Sequence, residues 1–149
     1  VPPVPSEGPH YNPVVTLNGW SLPFRMNNGV KEFRLTAEPV KREFAKGMVV
    51  NAWGYNGHCP GPTIEVVEGD KVRIFVTNRL PEATAVHWHG QTLPNGMDGV
   101  AGLTQPGIPP GKTFVYEFIL RRSGTFRREV TAGRTDSAPA TWFMALLCA

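Results

Sequence analysis

The chain has 149 residues, 15 Lys and Arg against 12 Asp and Glu, and two cysteines, which fits one ordinary domain with a core of its own and excludes a disulfide scaffold. The net charge of +3 sits at one end: residues 1–120 balance five Lys and five Arg with ten acids, and the excess comes from Arg121, Arg122, Arg127, Arg128 and Arg134 against Glu129 and Asp136. This basic end lacks interleaved aromatics, so nucleic acid is not an expected partner, and no stretch approaches the ~18 apolar residues of a membrane span.

Fifteen prolines and sixteen glycines separate short β-branched and aromatic runs, which favours an all-β domain with many turns. Residues 1–29 hold most of the early prolines and read as an extended arm over a surface. These first residues show neither a charged n-region nor an apolar h-region, so no signal peptide is expected within them. The domain is expected over residues 30–126. Phe33 and Leu35 alternate with polar neighbours in a half-buried strand that Pro39 should end or push to an edge. Met48 to Tyr55 is a second strand, closed by the turn signal Asn56-Gly57. Cys59 reads as a small buried thiol; adjacent side chains on an extended chain diverge, so it should not share a metal with His58. Ile64 and Val66, then Gly69-Asp70, then Val72, Ile74 and Val76 predict a hairpin.

Ala85 to His89 is the strand that carries chemistry. Alternation puts Val86 and Trp88 on the core side and His87 and His89 together on the other. Two imidazoles about 7 Å apart along a strand suit adjacent metal ions better than one chelated ion. Pro106 to Gly111 is a turn-rich loop, and Phe114, Tyr116 and Phe118 line one face of the next strand. After Phe126 the pattern degrades. Residues 127–149 read as a divergent or aberrant tail, and the apolar run from Trp142 to Cys148 is either a late strand filling an open edge or a non-native end. On the second reading, removing the tail leaves the fold no less stable.

Taken in order, Asn56-Gly57 with Pro60-Gly61-Pro62-Thr63-Ile64, Glu68-Gly69-Asp70, Val76-Thr77-Asn78-Arg79-Leu80, His87-Trp88-His89-Gly90, Asp98-Gly99, Gln105-Pro106-Gly107-Ile108, Pro110-Gly111 and Ser123-Gly124-Thr125-Phe126 resemble the N-terminal cupredoxin (plastocyanin-like) domain of a multicopper oxidase, the family of laccases and bacterial copper-resistance oxidases. The resemblance implies a Greek-key β-sandwich, here incomplete at its C-terminal side. It implies oxidation of one-electron donors coupled to reduction of dioxygen to water in the parent protein. It also implies copper as cofactor, with His87 at a type 2 position and His89 at a type 3 position of a three-copper cluster that is only partly formed. Asp98 is the implied catalytic acid for proton delivery, although a lone Asp-Gly also reads as a turn. Gly90 is expected to let the backbone pass close to the cluster. Copper ions and further C-terminal cupredoxin domains are the implied partners, and periplasmic or secreted placement follows from the resemblance alone.

The departures limit these implications. The family follows its Gly-Thr-Phe element with a second His-x-His, whereas this chain runs Phe126-Arg127-Arg128-Glu129 and has no histidine after His89. No His-Cys-His segment for a type 1 copper follows either. The chain alone is therefore not expected to be an active oxidase. A stand-alone copper-carrying module without turnover is the alternative, and a structural domain using its histidines at a subunit interface is a third reading.

Overall fold

The computed structural model describes residues 20–132 and 144–148, with side chains through Gly124. Among the described residues, nine strands build two sheets. The first contains β1 (Arg25–Asn27), β2 (Val30–Ala45), β3 (Met48–Tyr55), β5 (Lys71–Asn78) and β7 (Thr113–Ile119), and the second runs β4 (Ile64–Val66), β9 (Met144–Cys148), β8 (Gly124–Ala132), β6 (Thr84–Trp88). The fold is the expected all-β, cupredoxin-like sandwich, and it is open: neither sheet closes on itself.

Alternation explains the core. Phe33 and Leu35 from β2, Val72, Ile74 and Val76 from β5, Tyr116 and Phe118 from β7, and Val86 and Trp88 from β6 are all buried in one cluster, because each strand turns every second side chain inward. β2 pairs in parallel with β5 from Val30 to Ala37. Beyond that point it keeps only β3 as a partner, Pro39 lying opposite Trp53. The proline sits where the strand becomes an edge, which is where a residue lacking an N–H is tolerated. Asn56 and Gly57, both at positive φ (49° and 77°), close the turn after β3. The Asn56 amide anchors it to β2, accepting from the Thr36 N–H at 2.7 Å and donating to the Arg34 carbonyl at 3.1 Å.

One element differs from the sequence reading. The expected hairpin over Ile64 to Val76 is a crossover: β4 pairs with β9 in the second sheet, whereas β5 pairs with β2 and β7 in the first. Both inner faces of a sandwich are apolar, so alternation cannot tell a strand that returns beside its predecessor from one that crosses to the facing sheet. The corner is held by Asp70, whose Oδ2 accepts from the Val67 N–H and the Lys31 ammonium, both at 2.7 Å. The described part of the arm does lie along the domain, and it contributes buried Leu22, tied to Thr63 by a 2.7 Å backbone bond, as well as β1. Residues 1–19 and 133–143 lie outside the described residues.

At the chain's end, β8 pairs with β6 from Thr84↔Ala132 to Trp88↔Arg128, and β9 lies between β8 and β4. The late-strand alternative describes the backbone of this region. β8 and β9 are the two inner strands of the second sheet, so removing residues 127–149 would take away the pairings of both β6 and β4.

Candidate functional site

β6 is an edge strand, and distant loops occupy its outer side. The Thr84 N–H donates to the Ile108 carbonyl at 3.1 Å and the Ile108 N–H returns a bond at 2.6 Å. The Val86 N–H donates to the Tyr116 hydroxyl at 3.1 Å, and the Trp88 N–H to the Asp98 carbonyl at 3.3 Å. A rim that would otherwise invite another strand is thus satisfied internally. Burial pushes the Tyr116 hydroxyl up to about 12, so it stays neutral and can serve this N–H at any ordinary pH.

Trp88 lies where alternation puts it, fully buried and edge-on to Tyr116 and Phe118 with ring centroids 5.3 Å from each. His87 and His89 share the opposite side, ring centroids 5.6 Å apart and planes at 57°. His87 is partly buried and His89 exposed. The His87 ring is fixed: its Nδ1 lies 2.7 Å from the backbone carbonyl of Asp98. A carbonyl only accepts, so Nδ1 carries a proton, and in the neutral ring the lone pair is then on Nε2, the tautomer a metal ligand or base requires. The Asp98 carboxylate reaches the same Nδ1 less closely, Oδ2 at 3.5 Å. Asp98 therefore meets His87 chiefly through its main chain, with its carboxyl group beside the ring.

The residue that permits this contact is Gly99, which the sequence reading passed over in favour of Gly90. Gly99 has φ +83°, and a Cβ there would lie 1.8 Å from the Val86 carbonyl oxygen and 3.1 Å from the His87 Cα. Only glycine lets the Asp98 loop press against β6. The 3-10 turn Asn95–Met97 precedes it, and the Met97 sulfur accepts the Glu117 N–H at 3.4 Å, pinning the loop to β7. Gly90 is at positive φ (84°), so its backbone conformation alone accounts for the glycine. The dipeptide Asp98-Gly99 was the available signal, legible as a turn but not as a loop packed on the histidine strand.

The expectation of copper in a partly formed cluster is not met. Among the described residues no group of three or more His, Cys, Asp or Glu side chains is placed to hold a metal ion. The physical reason is the donor count. His87 and His89 offer two imidazoles, and the nearby Asp98 carboxylate sits on the Nδ1 side of His87, away from the Nε2 a metal would use. His58 stands edge-on to Trp20, and Cys59 is buried, with burial pushing its thiol up. The strand beside β6 brings Glu129 opposite His87 and Arg128 opposite Trp88, where the resemblance would put further imidazoles. The residues present do not fit a copper cluster, and copper ions as this chain's partner, including as the cargo of a carrier module, are withdrawn on the same finding.

The fold, a cupredoxin-type sandwich with a His-x-His on an edge strand, matches known proteins over most of the described chain. The multicopper oxidase family profile matches residues 36–127, and the chain belongs to that family. It is 49% identical over 75 residues to copper resistance protein A of Pseudomonas syringae pv. tomato, covering 50% of this chain and 12% of that protein. It is 42% identical over 100 residues to the multicopper oxidase mco of Staphylococcus aureus, covering 67% and 22%. Among solved structures, a multi-copper oxidase from Pseudomonas thermotolerans superposes with TM-score 0.71 at 33% identity, covering 80% of this chain and 29% of that one. The chain thus spans a small part of the relatives it matches.

Proposed function

We propose that this chain is the N-terminal domain of an oxidase of the multicopper family, the whole protein coupling one-electron oxidation of a donor to reduction of dioxygen to water outside the cytoplasm. Within it, His87 and His89 are the two imidazoles this domain presents to a metal site that other segments complete. Asp98 is the neighbouring acid that handles protons. The observation that carries this reading is the 2.7 Å contact of His87 Nδ1 with the Asp98 carbonyl, which fixes the ring so that Nε2 is the nitrogen left for a ligand. A histidine that merely faces water needs no such orientation.

The test grafts residues 1–126 into a multicopper oxidase in place of the matching segment, so that the host supplies its own strands and second His-x-His from that point on, and measures oxygen uptake with a phenolic donor. The fusion is expected to turn over, His87→Ala and His89→Ala to abolish turnover, and Asp98→Asn to slow it about 10²-fold, the lower end of general acid–base contributions, with a shifted pH profile. Turnover that survives both histidine substitutions would refute the reading. The 149-residue chain by itself is expected to consume no oxygen.

A further inference from the structure

The far end of the β2–β3 ribbon has a composition its structure does not require. Past Ala37, β2 has lost β5 and pairs with β3 alone, down to the two-residue turn Lys46-Gly47 between Ala45 and Met48. A surface turn on a two-stranded ribbon normally carries polar residues. Here Phe44, Met48 and Val49 are 53%, 57% and 62% exposed. They share the tip with Lys41, Arg42 and Lys46, the Arg42 guanidinium lying 5.8 Å from the Phe44 ring centre. The single acid at the tip, Glu43, accepts the Gly47 N–H at 2.6 Å and so closes the turn. The next acid along β2, Glu38, faces Arg79 at 3.7 Å. The tip is therefore apolar and cationic at once, and it belongs to the sheet that does not carry the histidine strand.

We propose that this tip docks on an anionic lipid surface, Phe44, Met48 and Val49 entering the headgroup boundary while Lys41, Arg42 and Lys46 meet the lipid phosphates. Size and charge favour a bilayer over a protein. Three half-exposed side chains, at about 200 Å² apiece for the largest kind, offer roughly 300 Å², against about 800 Å² a side in a stable protein interface. A second copy would also set cations against cations. A bilayer accepts a small apolar wedge and adds the attraction of its surface potential for each nearby Lys or Arg. Such binding is weak, reversible and salt-sensitive. It lies on the membrane and requires no spanning segment, in accord with the lack, among the described residues, of a helix long and apolar enough to cross one.

The full chain should co-sediment with vesicles of equal parts phosphatidylcholine and phosphatidylglycerol at low salt and not with vesicles of phosphatidylcholine alone. The triple variant Phe44→Ser, Met48→Ser, Val49→Ser should lose at least about tenfold in partitioning, in line with the apolar area withdrawn. Lys41→Gln with Lys46→Gln should lose about fivefold per cation. All the changes are at exposed positions, so melting curves should match the parent chain, and a variant that melts early is replaced by Phe44→Ser alone. Equal binding to both vesicle types, binding untouched by the tip variants, or no binding at all would overturn the proposal. So would a dimer in solution that the triple variant dissolves without any vesicle binding by the parent.

Discussion

β5 and β6 follow one another in the chain and share the same inward alternation, Val72, Ile74 and Val76 in one and Val86 and Trp88 in the other. Their outer faces part company. β5 lies inside its sheet, flanked by β2 and β7, and its outward Arg73 is clasped by Glu117 at 2.7 Å and Glu32 at 2.8 Å, one from each neighbour. β6 lies at an edge, and its outward His87 is held by a loop eleven residues on. The first arrangement is a ladder that stabilises itself strand by strand. The second is a strand whose register, ring orientation and core contacts depend on Tyr116, Asp98, Ile108 and β8, all remote in sequence. The two histidines sit on the strand that borrows its supports, which makes their placement more sensitive to distant changes than the sheet opposite.

The largest test of that difference removes residues 127–149. β6 then loses its pairing to β8 and β4 loses β9, while the β2–β5–β7 ladder keeps every partner. With one face of the sandwich gone, the buried row of the other meets water. The loss should approach the whole stability of a small domain, about 5–15 kcal/mol. Calorimetry should show no cooperative transition. A melt equal to that of the full chain would mean that β8 and β9 do not hold the second sheet.

Next in size is Trp88→Ala. The side chain is fully buried between the sheets, and its loss leaves a cavity lined by Tyr116 and Phe118. The expected cost is about 3 to 5 kcal/mol, read from chemical denaturation, with the His87 and His89 ring resonances shifting as the strand loosens. Ile74→Ala in β5 should cost a comparable amount yet leave those resonances in place. Equal disturbance of the histidines by both would show that the two strands are not separately supported.

Much of this was legible beforehand. The inward rows of β2, β5, β6 and β7, the bounds of β3, the Asn56-Gly57 turn and the placement of Trp88 opposite two histidines all follow from period-two alternation and turn chemistry, which are local. What alternation cannot carry is partnership. It assigned Ile64 and Val66 to a hairpin with β5 because the turn at Gly69-Asp70 looks the same whether the chain doubles back or crosses the sandwich. It passed over Gly99 for the same reason, since its requirement comes from Val86 and His87, twelve and more residues away, and not from its own turn. The copper cluster failed on a count the sequence did contain: two clustered histidines and no later one.

Gly99→Ala probes that non-local support directly. With φ at +83° and a Cβ colliding with the Val86 carbonyl, the Asp98 loop must retreat from β6. About 1–3 kcal/mol of strain is expected. The sharper readout is the tautomer: once the 2.7 Å contact is broken, the ring nitrogen resonances of His87 should move toward the mixed population of a free imidazole. Gly111→Ala, also at positive φ but with nothing within 4 Å of its Cβ, should show backbone strain without any change at His87.

The smallest effect belongs to the ladder. The Arg73 and Lys71 side chains beside Glu117 hold its carboxyl down to about 2, from an ordinary 4.5. A carboxyl whose pKa is lower folded than unfolded adds stability that is complete above the unfolded value and disappears as pH falls through the folded one, because the unfolded chain takes up the proton first. The contribution should therefore be full above about pH 4.5 and fade between there and about 2. Glu32, lowered by its bonds to Asn27 and Arg73, should fade over an overlapping acid range. These groups lie at the surface, so added salt should blunt the effect. In the double variant Glu32→Gln, Glu117→Gln the melting temperature should decline less steeply below pH 4.5 than in the parent chain, with the His87 resonances responding no differently in the two proteins. An acid limb of unchanged slope would show that the ladder's ion pairs add nothing to its stability, and that β5 is held by its buried face alone.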